Sequence, residues 1–259
     1  MAISHMDKIL IAKRAALEKR KARTPIEAVR ALASMQKRPQ PILSTVTEDD
    51  ATLLIGLIRR RTGEQTSYDP VAQTFRYGRE GMDAINLFTD DVIYDNGLND
   101  LALVARAARL PVMSQDFIFD EYQVVESRAA GASALLLQAG IVDDATLRAL
   151  VSATQRNRMT AIVHVQTEAQ LRYALTLAPQ VIAVGAVSSD SALFNDAIRA
   201  WSELRACIPR PTRVLLAHPL RSLDEAAAAR ALHIDAALVD DSLLGQPSIA
   251  PRLRQLLGK

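Results

Sequence analysis

One cysteine, Cys207, stands in a chain of 259 residues. It cannot form an internal disulfide or a thiolate metal cluster, and such scarcity fits a reducing, cytoplasmic setting. Aromatic residues make up only 4%, too few for the stacking platforms that hold single-stranded nucleic acid. Charge of one sign is also missing: 31 Lys and Arg against 29 Asp and Glu leave +2. That balance creates no field for a polyanion, so no nucleic-acid partner is expected. No apolar run approaches the roughly 18 residues of a membrane span, so no membrane partner is expected. The glycine fingerprint of dinucleotide sites, the phosphate-loop signature, paired Cys-x-x-Cys and His-Glu-x-x-His are absent as well. What remains is a globular composition, 49% hydrophobic, of a length that α/β barrels use as one domain.

Residues 1–5 read as an expression-tag remnant ahead of Met6, and 6–259 as one barrel domain. Within it, 6–45 reads as a helical extension, with Thr24 as an N-cap and Pro25 at the first helical position. The dense Lys and Arg of this extension, Lys13 among them, read as a solvated helix face. Beyond Pro41 the rhythm changes. Eight short apolar runs follow: 53–58, 83–88, 111–113, 134–137, 161–165, 181–184, 213–217 and 236–239. Amphipathic stretches lie between them, such as 98–109, 121–131, 144–156, 168–178, 195–208 and 223–232. Continuous apolar strands alternating with helices predict a parallel sheet covered on its outer face. Eight such units predict a (β/α)8 TIM barrel; a doubly wound sheet is the other reading, and its Gly-rich first turn is missing.

Several stretches resemble the indole-3-glycerol-phosphate synthase family. Tyr68-Asp69-Pro70-Val71-Ala72, Leu87-Phe88-Thr89-Asp90 and Gly97-Leu98-Asn99-Asp100-Leu101 carry the likeness. So does the longest match, from Leu110 through Gln115-Asp116-Phe117-Ile118 to Tyr122-Gln123 and on to Ala132. The resemblance covers almost the whole chain from Met6. It implies a carbon–carbon lyase of tryptophan biosynthesis that closes an anthranilate-derived ribulose phosphate into an indole, with loss of CO2 and water. No cofactor is implied.

The same resemblance implies catalytic lysines and glutamates at the strand ends and a Gly- and Ser-built phosphate site. This chain departs from that set at each position. Leu57 stands at the strand-one Glu position and Arg59 at the strand-one Lys position. Gln115 stands for the strand-three Lys and His164 for the strand-five Glu. Gly185 and Val187 stand for the strand-six Asn and Arg. His218-Pro219-Leu220 aligns with the strand-seven Glu-Ser-Gly, and Asp240-Asp241 with the strand-eight Gly-Ser. Leu57 and Gln115 have no titratable proton, and Arg59 keeps its proton near neutrality. Pro219 lacks the backbone NH that cradles an oxyanion. A carboxylate about 4 Å from a phosphate opposes it by roughly 1–4 kcal/mol. Loss of the ring closure is therefore expected.

Four features could fill the vacated site. Arg59, with or without Arg60, is expected to pair with Asp240 or Asp241, because strands one and eight meet when a barrel closes. His164 and His218 could serve as general acid and base, or with Asp240 or Asp241 form a two-His-one-carboxylate metal site. The blander reading, neutral histidines filling space, is favoured, and no metal is expected. Gln115 and Ser114 could orient a ligand carbonyl or simply cap the ladder. Asn86, Thr89 and Asp90 read as turn residues. Thus His164, His218, Gln115 and Arg59 are the catalytic candidates. Leu57, Ser114, Phe117, Gly185, Val187, Asp240 and Asp241 are the pocket candidates. Cys207 reads as a small buried hydrophobe and Trp201 as a core or interface residue. Three functions remain open: a barrel that binds or acts on a different small molecule, a non-catalytic pseudoenzyme with a scaffold or regulatory role, and a synthase with a rebuilt site. A monomer or weak homodimer is expected.

Overall fold

The computed structural model describes residues 5–42, 52–60, 68–90, 92, 97–185, 194–246 and 248–257. Eight parallel strands close into a barrel in chain order: β1 (Leu53–Ile58), β2 (Ala84–Phe88), β3 (Val112–Gln115), β4 (Ala134–Gln138), β5 (Thr160–Val165), β6 (Val181–Val184), β7 (Arg213–Leu220) and β8 (Ala236–Val239). Helices α3 (Pro70–Arg79), α4 (Gly97–Ala107), α5 (Glu121–Ala129), α6 (Asp144–Arg156), α7 (Glu168–Thr176), α8 (Phe194–Ala206), α9 (Leu223–Ala229) and α10 (Ile249–Leu257) follow the strands in turn. Ahead of the barrel stand α1 (His5–Arg23) and α2 (Ile26–Met35). No helix among the described residues is long and apolar enough to cross a membrane. The fold is the expected (β/α)8 TIM barrel.

Strand alternation sorts the side chains into two cores. Ile55, Ala84, Met113, Ala134, Leu136, Ile162, Ala183, Leu215, Ala217, Ala236 and Leu238 belong to the cluster inside the barrel. Their neighbours Leu54, Ile85, Leu135, Val163, Ile182, Leu216 and Ala237 join the larger cluster under the helices. Both faces are apolar, which is why the strands read as continuous hydrophobic runs. The helices start where capping residues stand: Asp69 accepts from the backbone of Val71 and Ala72, Asp143 from Thr146, and Thr167 from Gln170. Gly56 admits the Tyr77 ring against β1. A Cβ there would lie 2.4 Å from the ring, and the ring's hydroxyl donates to the Leu57 carbonyl at 2.6 Å.

Local expectations are corrected at four points. Pro25, rather than Thr24, takes the N-cap place of α2, with no side-chain cap; its ring supplies the fixed φ but offers no acceptor. The stretch 223–232 divides into α9 and a 3-10 turn at Arg230–Leu232, ended by His233 in the left-handed region (φ 45°). Cys207 is exposed, not buried, because it follows the last turn of α8.

The fourth correction concerns α1, whose charges are not simply a solvated face. Leu17, Val29 and Ala33 pack with Phe119, Tyr122 and Val125 of the α5 region. Around that contact Arg20 pairs with Glu126 at 3.0 Å and Lys21 with Asp120 at 2.6 Å. Arg14 lies 4.6 Å over the Phe119 ring. Lys13, only 1% exposed, follows Ile9 and precedes Leu17 by one helical turn each. It therefore sits on the buried stripe.

Candidate functional site

The C-terminal ends of the strands form the barrel mouth, where enzymes of this architecture place their chemistry. Strand alternation continues beyond the apolar core. It turns Leu57 and Arg59 of the β1 end inward with Ile55, Asn86 with Ala84, Gln115 with Met113, His164 with Ile162, and Asp240 with Leu238. The intervening Ser114 and Asp241 turn outward.

Across the mouth, the expected link between the first and last strands is present. Closure pairs β1 with β8, and Arg59 Nη2 donates to Asp240 Oδ2 at 2.9 Å. The Asp240 side chain is 2% exposed and that of Arg59 20%. Asp240 also caps the turn after β8, its Oδ1 accepting from Ser242 N at 3.0 Å, and Arg221 Nε approaches its Oδ2 to 4.0 Å. The other predicted members go elsewhere. Asp241 meets Arg76 and Tyr77 of α3 on the outer face. Arg60 lies over the Tyr68 ring and 3.9 Å from Asp100. Of the Asp240–Asp241 pair, only Asp240 faces the mouth.

The two histidines are not brought to a common task. His164 is 2% exposed and its Nε2 lies 2.6 Å from the Gly185 carbonyl. Burial lowers its pKa below the ordinary imidazole value, opposed by that hydrogen bond, so the ring is held neutral. His218 instead stacks on Phe194 and Trp201 of α8, with ring centroids 4.6 and 5.8 Å away. Its Nε2 is 4.0 Å from Glu225 of α9. Those aromatics belong to or pack on the outer core, so His218 fills space under the helices, and Trp201 has the core role expected of it. Among the described residues no three His, Cys, Asp or Glu side chains gather into a metal-holding group.

The remaining candidates are built into the scaffold. Asn86 Nδ2 donates to Gln115 Oε1 across β2 and β3. Ser114 and Thr89 share a hydrogen bond of 2.7 Å between their hydroxyls. Leu57 is 2% exposed. Phe117 is half-buried, and its backbone NH donates to the Asp116 carboxylate while its carbonyl accepts from Gln123. Gly185, one of the pocket candidates, has positive φ (+104°), and a Cβ on it would lie 3.1 Å from Leu216 and 3.3 Å from the His218 backbone. Its lack of a side chain serves this close approach. Val187 lies outside the described residues.

One group escaped the sequence reading. Lys13 Nζ lies 2.7 Å from Asp116 and 3.3 Å from Asp90, tying α1 to the ends of β2 and β3. Burial pushes the Asp116 carboxyl up to about 7; Lys13 opposes the shift and Asp90 adds to it. The four-residue spacing of Ile9, Lys13 and Leu17 was the available signal.

Residues 6–256 match the family model described as indole-3-glycerol phosphate synthase. The chain is 31% identical over 265 residues to the indole-3-glycerol phosphate synthase of Roseiflexus sp. (strain RS-1), covering 98% of each. It is 28% identical over 248 residues to that of Dehalococcoides mccartyi (strain CBDB1), covering 93% of this chain and 95% of the relative. A crystal structure of 3-hexulose-6-phosphate synthase from Salmonella typhimurium superposes with a TM-score of 0.60 at 15% identity, over 80% of this chain and 98% of that one. The last likeness concerns the fold alone.

Proposed function

The chain belongs to the indole-3-glycerol phosphate synthase family, and from that premise we propose that it does not perform the decarboxylating ring closure. The reading it supports best is a non-catalytic barrel with a scaffold or regulatory role. The observation that carries it is the Arg59–Asp240 pair at 2.9 Å, inside the mouth. A phosphate approaching there meets a buried carboxylate whose nearest cation is already engaged. Around it, Leu57 and Gln115 can neither give nor take a proton, and His164 is held neutral against a carbonyl. Gln115 Oε1 is already taken by the Asn86 amide.

The test is to incubate the chain with the carboxyphenylamino-deoxyribulose phosphate of the family reaction and follow indole fluorescence, with the Roseiflexus relative run in parallel. No rise above the protein-free control is expected. Turnover comparable to the relative's would overturn the reading and restore a synthase with a rebuilt site.

A second reading, a mouth that binds a different small molecule, is favoured by one observation. Asn86 is fully buried, and its Oδ1 has no hydrogen-bond partner. A buried acceptor left alone costs about 1–3 kcal/mol, which a ligand donor would recover. Thermal-shift screening against small metabolites tests it. A hit that raises Tm in the parent protein and not in Asn86→Leu supports it, and a screen without such a hit rejects it.

A further inference from the structure

At the end of the barrel opposite the mouth, three arginines converge. Arg205 stands in the last turn of α8, Arg210 in the loop that follows, and Arg213 opens β7. His233 and Asp235 lie in the segment that leads into β8. With Pro211 and Thr212 these side chains line a cavity of about 280 Å3. None of them belongs to the barrel mouth, since β7 and β8 both begin here and reach the mouth at their other ends.

The lining holds three guanidinium groups against one carboxylate, in a chain whose whole net charge is only +2. That carboxylate is engaged: Asp235 Oδ1 accepts from Arg213 Nη1 at 3.2 Å, and its Oδ2 from the backbone of Val214 at 2.8 Å. Arg205 is fixed by carbonyls, donating from Nε to His233 at 3.3 Å and from Nη1 to Ile208 at 3.4 Å. Carbonyls orient a guanidinium without neutralising it. Burial lowers the Arg205 pKa from its ordinary value; Asp235 opposes this and the nearby charge of Arg210 adds to it. Several guanidinium groups lining one cavity offer charge-assisted donors to an anion.

We propose that this cavity binds a phosphate group, as the free ion or as the head of a small phosphorylated metabolite. Guanidinium forks arriving from α8, from its following loop and from β7 offer donors in several directions. That suits a tetrahedral phosphate better than planar carboxylates. The volume accommodates a phosphate with a few carbons attached.

Isothermal titration at fixed ionic strength, with inorganic phosphate and glycerol phosphate as ligands and malonate as the carboxylate comparison, tests the site. The parent chain, Arg210→Ala, Arg205→Gln and Arg172→Ala are compared, Arg172 being a 73%-exposed arginine of α7. Saturable one-site binding of phosphate is expected. Its Kd should rise about tenfold or more in the first two variants, as for loss of a charge-assisted hydrogen bond, and stay unchanged in the third. Arg210 is exposed, so its removal leaves the core intact, and circular dichroism melts verify folding of both variants. Equal binding of glycerol phosphate assigns the ester class; binding of inorganic phosphate alone assigns the free ion. Absence of saturable binding, binding that survives both substitutions, or malonate binding more tightly than phosphate would overturn the proposal. None of these outcomes depends on whether the barrel mouth turns over substrate.

Discussion

Replacing Asp240 by Ala tests whether the barrel mouth is held shut by a true internal ion pair. The change removes the acceptor of Arg59, 2.9 Å away, and the acceptor of the Ser242 backbone NH, 3.0 Å away. Breaking a fully buried pair costs about 3–5 kcal/mol, because one charge is left stranded. Here Asp240 is 2% exposed but Arg59 is 20% exposed, so its guanidinium keeps contact with water and the cost is smaller. Loss of the turn cap adds about 1 kcal/mol. The expected destabilisation is about 2–4 kcal/mol, read as a shift of the urea midpoint by circular dichroism. Arg59→Met and the double variant complete a cycle. The two changes share one interaction, so their effects should fail to add by about 1–3 kcal/mol. A cost for Asp240→Ala below about 0.5 kcal/mol, or a coupling near zero, would show that the pair behaves like a surface contact. The barrel mouth would then not be held shut by this pair.

Two further outcomes follow from the packing. Asp116 carries a folded-state carboxyl pushed up to about 7 by burial. The folded chain therefore keeps a proton that the unfolded chain releases near pH 4, and the stability it contributes is full at low pH and lost as pH climbs through 7. Asp116→Asn should thus gain on the parent protein, in urea midpoint, between pH 4 and 7.5; a constant or opposite difference would refute the assignment. At Gly56 a Cβ would lie 2.4 Å from the Tyr77 ring, which is anchored by its hydrogen bond to Leu57. Gly56→Ala should cost about 1–3 kcal/mol by overpacking, measured by thermal melts. An unchanged Tm would show that the ring can move aside.

The strands were legible because both of their faces are buried, leaving uninterrupted apolar runs such as 53–58 and 181–184 that coincide with β1 and β6. Helix starts were legible where Asp143 or Thr167 supplies an acceptor, and less so at Pro25, which cannot. The candidate site was legible by position and only half legible by direction. Placing residues at strand ends gave Arg59, Gln115, His164 and Asp240 correctly at the mouth. It also put Ser114 and Asp241 there, where period-two alternation turns them outward. His218 lies away from the mouth for a tertiary reason: Phe194 and Trp201 offer it aromatic contacts under α8. Lys13 was hidden among other charges of α1 because its carboxylate partners Asp90 and Asp116 lie far from it in the chain.

Local periodicity and residue type, both written in the sequence, determined the eight β/α units and the family to which they belong. The tertiary structure alone decided which side chains at the strand ends meet. Only closure of the barrel sets β1 beside β8, so that Arg59 and Asp240, 181 residues apart, become one part-buried pair. Likewise, only the meeting of α8, β7 and β8 gathers Arg205, Arg210 and Arg213 around one cavity. Coulomb energy depends on distance and burial, and neither can be read from order along a chain.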